Sequence, residues 1–231
     1  AFRPIDTAVP AFRDTKIAAF AGGAEAAAFD MLRTRVIQQA RSNNWRRIAV
    51  VSPHSGCGKT TTVTNLAFSL GRSSDMRTLA IDFDLRRATR ARMLHQKPEH
   101  TRAEVLESRV SFADHGLRYG NSLAFGLNSG PVQNSSELLQ SNRAAAVLDE
   151  IDATFQPDIV LFDMPPLLAT DDSLAFLKNV DCALLIVAAE ETPMNQIDVA
   201  ERQIAELTQV MGVVLNKCRL MGSAYGYEYN Y

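Results

Sequence analysis

Ser52-Pro53-His54-Ser55-Gly56-Cys57-Gly58-Lys59-Thr60-Thr61 lies between an apolar run at 48–51 and an amphipathic run at 63–70. A buried strand, a glycine-bearing loop and a helix in that order read as a phosphate-binding loop. Successive backbone N–H groups curl round the phosphates of a nucleotide, and the start of the helix adds its positive end. Lys59 reaches the terminal phosphates and Thr60 offers its hydroxyl to Mg²⁺. Ser55, Gly56, Cys57, Gly58, Lys59, Thr60 and Thr61 form the cradle, with the glycines leaving room for close approach. The position six residues before Lys59, glycine in the usual pattern, is Pro53. Proline has no N–H to donate, so the mouth of the loop has to be built differently.

Outward from this loop the chain has 231 residues, 46% of them hydrophobic. That is enough for one globular domain with a large core. A formal net charge of −2 gives no basis for nucleic-acid binding through bulk charge. Arg86 and Arg87 with Arg90 and Arg92 read as a solvated helical face. Cys57, Cys182 and Cys218 have no metal-type spacing and cannot all pair, which suits a reducing compartment. Cys57 reads as a small filler in the loop. No apolar run approaches the roughly 18 to 20 residues needed to cross a bilayer. The chain starts at Ala1 without methionine, and is expected to be a piece cut from a longer one. Residues 1–23 show no period and carry Pro4, Pro10, Gly22 and Gly23. They are expected to form an irregular arm that wraps the domain or leads from another.

The spacing of Phe29, Leu32 and Val36 predicts an amphipathic helix over 24–39. Trp45 follows a turn at Asn43 and Asn44 and is placed over a core edge. Residues 78–83 form a second apolar strand, closing on Asp82-Phe83-Asp84-Leu85-Arg86. Carboxylates at i and i+2 of an extended segment point the same way, at the strand end where open α/β sheets place ligands. Such a pair can hold Mg²⁺ through water and accept a proton from an attacking hydroxyl. Spacing alone equally allows two loop carboxylates neutralised by Arg86 and Arg87. The stretch 88–120 is polar and irregular in its periods. Its histidines, His95, His100 and His115, match no metal template and are expected to be exposed or capping.

Residues 123–127 predict a short strand, 135–139 a helix entry with serine able to cap, and Ala144, Val147, Leu148, Ile151 and Phe155 one face of a helix. The strand at 159–162 then runs into Asp163-Met164-Pro165-Pro166. A buried strand closing on aspartate can bind a metal-bound water opposite the loop threonine. Further elements are a helix over 170–178, a buried strand over 183–188, a helix over 194–207 with Ile197, Ala200, Ile204 and Leu207 inward, and a last strand over 212–215, followed by Asn216. Strand and helix alternate, so the fold expected is α/β, a mostly parallel sheet with helices on both faces.

Four of the five tyrosines, Tyr225, Tyr227, Tyr229 and Tyr231, fall in the last seven residues, so they do not build the core. Interleaved with Gly226, Glu228 and Asn230 they have too little apolar surface to fold alone. The tail is a substrate or recognition sequence, or it docks on its own domain. A last parallel strand delivers the chain to the rim that carries the phosphate loop. Ten to fifteen extended residues then span about 35 to 50 Å, enough for the chain's own site or a neighbour's.

These residues resemble the bacterial tyrosine kinases (BY-kinases) of polysaccharide assembly, P-loop proteins similar to the Min and Par partition ATPases. The resemblance runs from about Phe29 to the C-terminus. It rests on 56–61, Ile81-Asp82-Phe83-Asp84-Leu85-Arg86, Asp163-Met164-Pro165-Pro166, Ser136-Glu137-Leu138-Leu139, Val213-Val214-Leu215-Asn216-Lys217 and the tyrosine tail. It implies a three-layer P-loop fold with an arm at 1–23, a kinase domain at 24–221 and a tail at 222–231.

It further implies an ATP-dependent, autophosphorylating tyrosine kinase that regulates exopolysaccharide or capsule synthesis and export, with Tyr225, Tyr227, Tyr229 and Tyr231 as acceptors, usually on a neighbouring copy. Lys59 and Thr60 would hold phosphates and metal, Asp82 and Asp163 would arrange Mg²⁺, Asp82 or Asp84 would deprotonate the tyrosine, and Asn216 would contact adenine. Expected partners are a membrane adaptor, fused or separate, that activates the domain at the inner face of the membrane, and a tyrosine phosphatase. The alternatives are a Min/Par-like ATPase switch, or a scaffold that binds nucleotide without turnover. Partition switches usually carry a second lysine five positions before the loop lysine, where this chain has His54. One departure concerns assembly: the Glu-x-x-Arg-x-x-Arg ring motif of the family is matched here by Ala27, Asp30 and Arg33, reversing the charge at its centre.

Overall fold

The computed structural model describes residues 2–8, 17–23, 26–87 and 89–218. Its strands are β1 (Arg3–Pro4), β2 (Arg47–Val51), β3 (Thr78–Asp82), β4 (Leu117–Tyr119), β5 (Leu123–Gly126), β6 (Ile159–Asp163), β7 (Cys182–Ala188) and β8 (Gln209–Asn216). They form one sheet in the order β1-β4-β5-β3-β6-β2-β7-β8, parallel except where β4 meets β5.

The central strands are apolar along their whole length because both faces are covered, as parallel sheets require. Alternation decides which core each residue joins. Ile48, Val50, Leu184 and Ile186 enter one cluster, and Ala49, Val51, Leu185 and Val187 the other. The first face is covered by α2 (Ala27–Asn43) through Val36 and Ala40, and by α3 (Lys59–Gly71) through Val63, Leu66, Ala67, Phe68 and Leu70. A short α1 (Ala18–Ala21) joins them, its Ala19 N–H donating to Asn65 Oδ1 at 2.9 Å. The second face is covered by α8 (Asn142–Phe155) and α10 (Met194–Ala205). Trp45 packs half-buried on the first cluster, after Asn44 closes α2 in the left-handed conformation.

The expectations for His115 and Leu207 need correction. Residues 89–120, irregular in their periods, contain α4 (Thr89–Met93), α5 (Arg102–Leu106), α6 (Phe112–His115) and strand β4. Helices of four or five residues are too short to leave a period in the sequence. His115 is buried, whereas His95 is exposed and His100 partly so. Leu207 is 41% exposed, because α10 stops at Ala205 and the chain turns before the period reaches it. Of the arm's described residues, β1 pairs with β4, and Ile5 and Ile17 are buried. Asp30 accepts from Ser69 Oγ at 2.5 Å and pairs with Arg72, so its charge is answered inside its own subunit. Among the described residues no helix is long and apolar enough to cross a membrane.

Candidate nucleotide and phosphotransfer site

The chain leaves β2 through the loop 52–58 and returns, after α3, in β3, with β6 inserted between the two strands. That reversal opens a crevice at the carboxyl edge, the place where α/β sheets bind ligands. Gly56 (φ +90°) and Gly58 (φ +83°) take the left-handed conformation that lets main-chain N–H groups face inward. A Cβ on Gly58 would stand 2.2 Å from Asn216 Nδ2. That amide donates to the Cys57 carbonyl at 2.8 Å, so β8 reaches across β7 to brace the loop. On the same side His54 Nε2 meets Thr192 Oγ1 at 3.0 Å, and the buried Cys57 Sγ lies 3.6 Å from His54 Nδ1. The mouth is built from carbonyls rather than N–H groups. Ser52 O accepts from Leu167 N at 2.8 Å and Pro53 O from Leu168 N at 3.1 Å, fastening the phosphate loop to the segment after Asp163. Pro53 is tolerated because its missing donor is not the group in use.

Asp82 and Asp163 are register partners across β3 and β6, both 1% exposed. Lys59, 6% exposed, donates to Asp163 Oδ1, and Arg90 Nη2 lies 3.0 Å from Asp163 Oδ2. Asp84 N donates to Asp82 Oδ1 at 3.2 Å, which turns Asp84 towards the same crevice. Burial pushes Asp82 up to about 7, against the pull of Arg90 and with further help from Asp163 and Asp84. Burial likewise raises Asp84, Lys59 working the other way. Burial would raise Asp163 as well, but Lys59 and Arg90, with hydrogen bonds from Lys59 and Thr60, hold it below the usual carboxylate range. Asp163 is thus held as the anion by cations of this chain, while burial works against the charge on Asp82 and Asp84.

The residues fit Mg²⁺ held jointly with phosphates. Asp82 Oδ2 is buried without a hydrogen-bond partner, an oxygen that a cation would satisfy. Among the described residues no three His, Cys, Asp or Glu side chains are placed to hold a metal by themselves. Phosphate and water would complete the shell, as Mg²⁺ commonly requires.

The structure thus brings Ser55, Gly56, Cys57, Gly58, Lys59, Thr60, Thr61, Asp82, Asp84, Asp163 and Asn216 to one rim. Tyr225, Tyr227, Tyr229 and Tyr231 lie outside the described residues. Of the basic group, Arg86, Arg87 and Arg92 are exposed as expected, but Arg90 is fully buried in the site. Arg87 and the Arg86 backbone favour the charged form of Asp84, but the Arg86 side chain is bonded elsewhere. Its Nε and Nη2 reach Asp172 Oδ2 and Oδ1 at 2.9 and 3.0 Å, while Ser135 and Ser136 donate to Asp172 and Asp171 at 2.8 Å. This clamp joins the loop after β3 to α7 (Ser135–Gln140) and α9 (Asp172–Phe176). Arg102, also buried, lies near Asp82 with its guanidinium 5.6 Å from the Phe112 ring centre. Arg90, Arg102 and Asp172 escaped sequence reasoning because isolated charges among polar residues carry no periodic sign of burial.

Residues 48–224 match the model of the CobQ/CobB/MinD/ParA nucleotide-binding domain. The tyrosine-protein kinase CpsD of Streptococcus pneumoniae serotype 4 is 29% identical over 191 residues, covering 81% of this chain and 83% of that protein. A putative tyrosine-protein kinase in the cps region of Klebsiella pneumoniae is 30% identical over 221 residues, covering 95% of this chain and 27% of that longer protein. Among solved structures, the VpsO kinase domain superposes with a TM-score of 0.74 at 26% identity, covering 84% of this chain and 94% of that one.

Proposed function

We infer a phosphotransfer activity from the fact that this chain belongs to the CobQ/CobB/MinD/ParA family of nucleotide-binding domains and that its named relatives are tyrosine-protein kinases. The chain is an ATP-dependent protein-tyrosine kinase whose acceptors are Tyr225, Tyr227, Tyr229 and Tyr231 of its own tail or a neighbour's. Its activity regulates exopolysaccharide or capsule synthesis and export. The observation that carries this reading is the pairing of Asp82 with Asp163 across β3 and β6, with Lys59 on Asp163. They share a rim with Asn216, where β8 hands the chain on towards the tail.

Lys59 exchanges the Asp163 carboxylate for the β- and γ-phosphates when ATP enters, and the N–H groups of 55–61 hold the remaining oxygens. Thr60, Asp82 and Asp163 are the groups that would hold Mg²⁺, which when bound offsets charge on the phosphate oxygens. Asp82 or Asp84 accepts the phenolic proton. The tyrosine oxygen bonds to the γ-phosphorus, the bond to the β–γ bridging oxygen breaks, and ADP departs with that electron pair. Asn216, which braces the loop through Cys57 O, contacts adenine. Neighbouring copies serve as substrates, an adaptor at the inner face of the membrane as activator, and a tyrosine phosphatase reverses the mark. The length of the Klebsiella relative, of which this unit is about a quarter, supports an adaptor that is fused in some members.

Intact-mass measurement of the whole chain with ATP and Mg²⁺ tests this. Wild type gains phosphoryl groups that map to the four tail tyrosines, and Lys59→Met gains none. ATP hydrolysis with an unmodified tail would instead indicate a nucleotide switch.

A further inference from the structure

Both oxygens of Asp163 are occupied by cations of this chain, Oδ1 by Lys59 and Oδ2 by Arg90. Arg90 exposes none of its surface, yet none of its three side-chain nitrogens makes a hydrogen bond, Nη2 meeting Asp163 as an ion pair alone. A buried guanidinium without hydrogen bonds is expensive to keep, so its packing is no reason for its presence. The apolar anchors of this segment are its neighbours Ala91 and Leu94. Its charge acts on Asp82 as well as on Asp163, and Arg102 stands behind Asp82. Three carboxylates, Asp82, Asp84 and Asp163, therefore face Lys59, Arg90 and Arg102, with Arg87 also acting on Asp84, so the cations at least match the carboxylates in number.

We propose that Arg90 is the resident counter-cation of the metal site, a positioning residue that acts through Asp163: with Lys59 it closes Asp163 to divalent metal until nucleotide arrives. The proposal rests on reading Asp82 and Asp163 as the metal carboxylates. In the nucleotide-free protein a dication meets no net negative charge and no free oxygen on Asp163. Phosphates draw Lys59 off Oδ1 and bring negative charge of their own, so metal and nucleotide load together. Lys59 is the mobile half of the lock, having a partner to leave for. Arg90 is the fixed half, and it sets the threshold.

The test uses Mn²⁺ as probe on the whole chain, with free ion read by electron paramagnetic resonance. Without nucleotide, wild type leaves the ion free. Arg90→Gln and Arg90→Met bind it roughly tenfold or more tightly, as expected for removing one unit charge a few ångströms from a dication. Arg90→Lys stays with wild type. Neutral variants that fold, by circular dichroism, yet bind Mn²⁺ no better than wild type overturn the proposal. So does wild type that binds Mn²⁺ equally well with and without a non-hydrolysable ATP analogue, a comparison that decides even if no neutral variant folds. Failure of wild type to bind Mn²⁺ when the analogue is present is a separate outcome. It removes the metal-carboxylate reading itself, and the lock with it.

Discussion

Gly58→Ala is the most informative single change at the phosphate loop, because two independent costs meet there. Gly58 sits at φ +83°, a conformation that costs an L-residue about 1 to 2 kcal/mol. The new methyl would also lie 2.2 Å from Asn216 Nδ2, too close for any real contact. Asn216 then has to swing away and give up its 2.8 Å hydrogen bond to Cys57 O, worth about 1 kcal/mol. The expected loss is about 2 to 3 kcal/mol, or roughly 4 to 12 °C in Tm for a chain of this size. Asn216→Ala alone should lose only the hydrogen bond, about 1 kcal/mol. The double variant is the decisive one. With the amide already gone, the methyl has nothing to displace, so the double should resemble Gly58→Ala rather than the sum, a coupling of about 1 kcal/mol. Urea unfolding of the four proteins, followed by circular dichroism, measures this. Additivity within about 0.3 to 0.5 kcal/mol would refute the contact.

Asp163→Ala strips Lys59 and Arg90 of their shared partner and should cost about 3 to 5 kcal/mol in urea, with Asp163→Asn milder. His115 is held neutral, its pKa pushed down to about 2 by burial and by Arg102. Since the folded value lies below the unfolded value near 6.5, its effect is nil above pH 6.5. Below that the unfolded chain alone takes up the proton, and stability falls by about 1.4 kcal/mol per pH unit towards pH 2. His115→Leu should flatten this part of a denaturation-midpoint profile against pH, and an unchanged slope would count against it. Arg86→Ala leaves the fully buried Asp172 with Ser135 alone and should cost about 1 to 2 kcal/mol, read as a shift in Tm, with Arg86→Lys restoring only part because lysine cannot make the two-point contact. No difference between the alanine and lysine variants would show that the fork geometry is immaterial.

The layered sheet was legible because its information is local. The runs at 48–51, 159–162 and 183–188 are apolar from end to end, and the glycine loop names the helix that follows. The carboxylates at 82 and 163 could be placed at strand ends by the same logic, although their direct register partnership could not. Arg90 was misread because a burial decided by a partner on another strand leaves no period. Ser135 and Ser136 were legible as the start of a helix but not as donors to Asp172 and Asp171. The helix cap is in fact Asn134 in the left-handed conformation, while Ser111 and Ser141 cap other helices by side chain. Leu207 shows the converse error, a period followed past the residue where the helix ends.

The two carbonyl bonds from Ser52 and Pro53 to Leu167 and Leu168 have an evolutionary corollary. Both partners are main-chain atoms, so the seam itself makes no demand on side-chain identity, and what holds Ser52 and Leu167 is their own burial. Insertions are another matter: one extra residue on either side would slip the seam and turn a phosphate-facing amide outwards. The two loops should therefore keep their lengths locked together among homologues, with proline as readily accepted at position 53 as glycine.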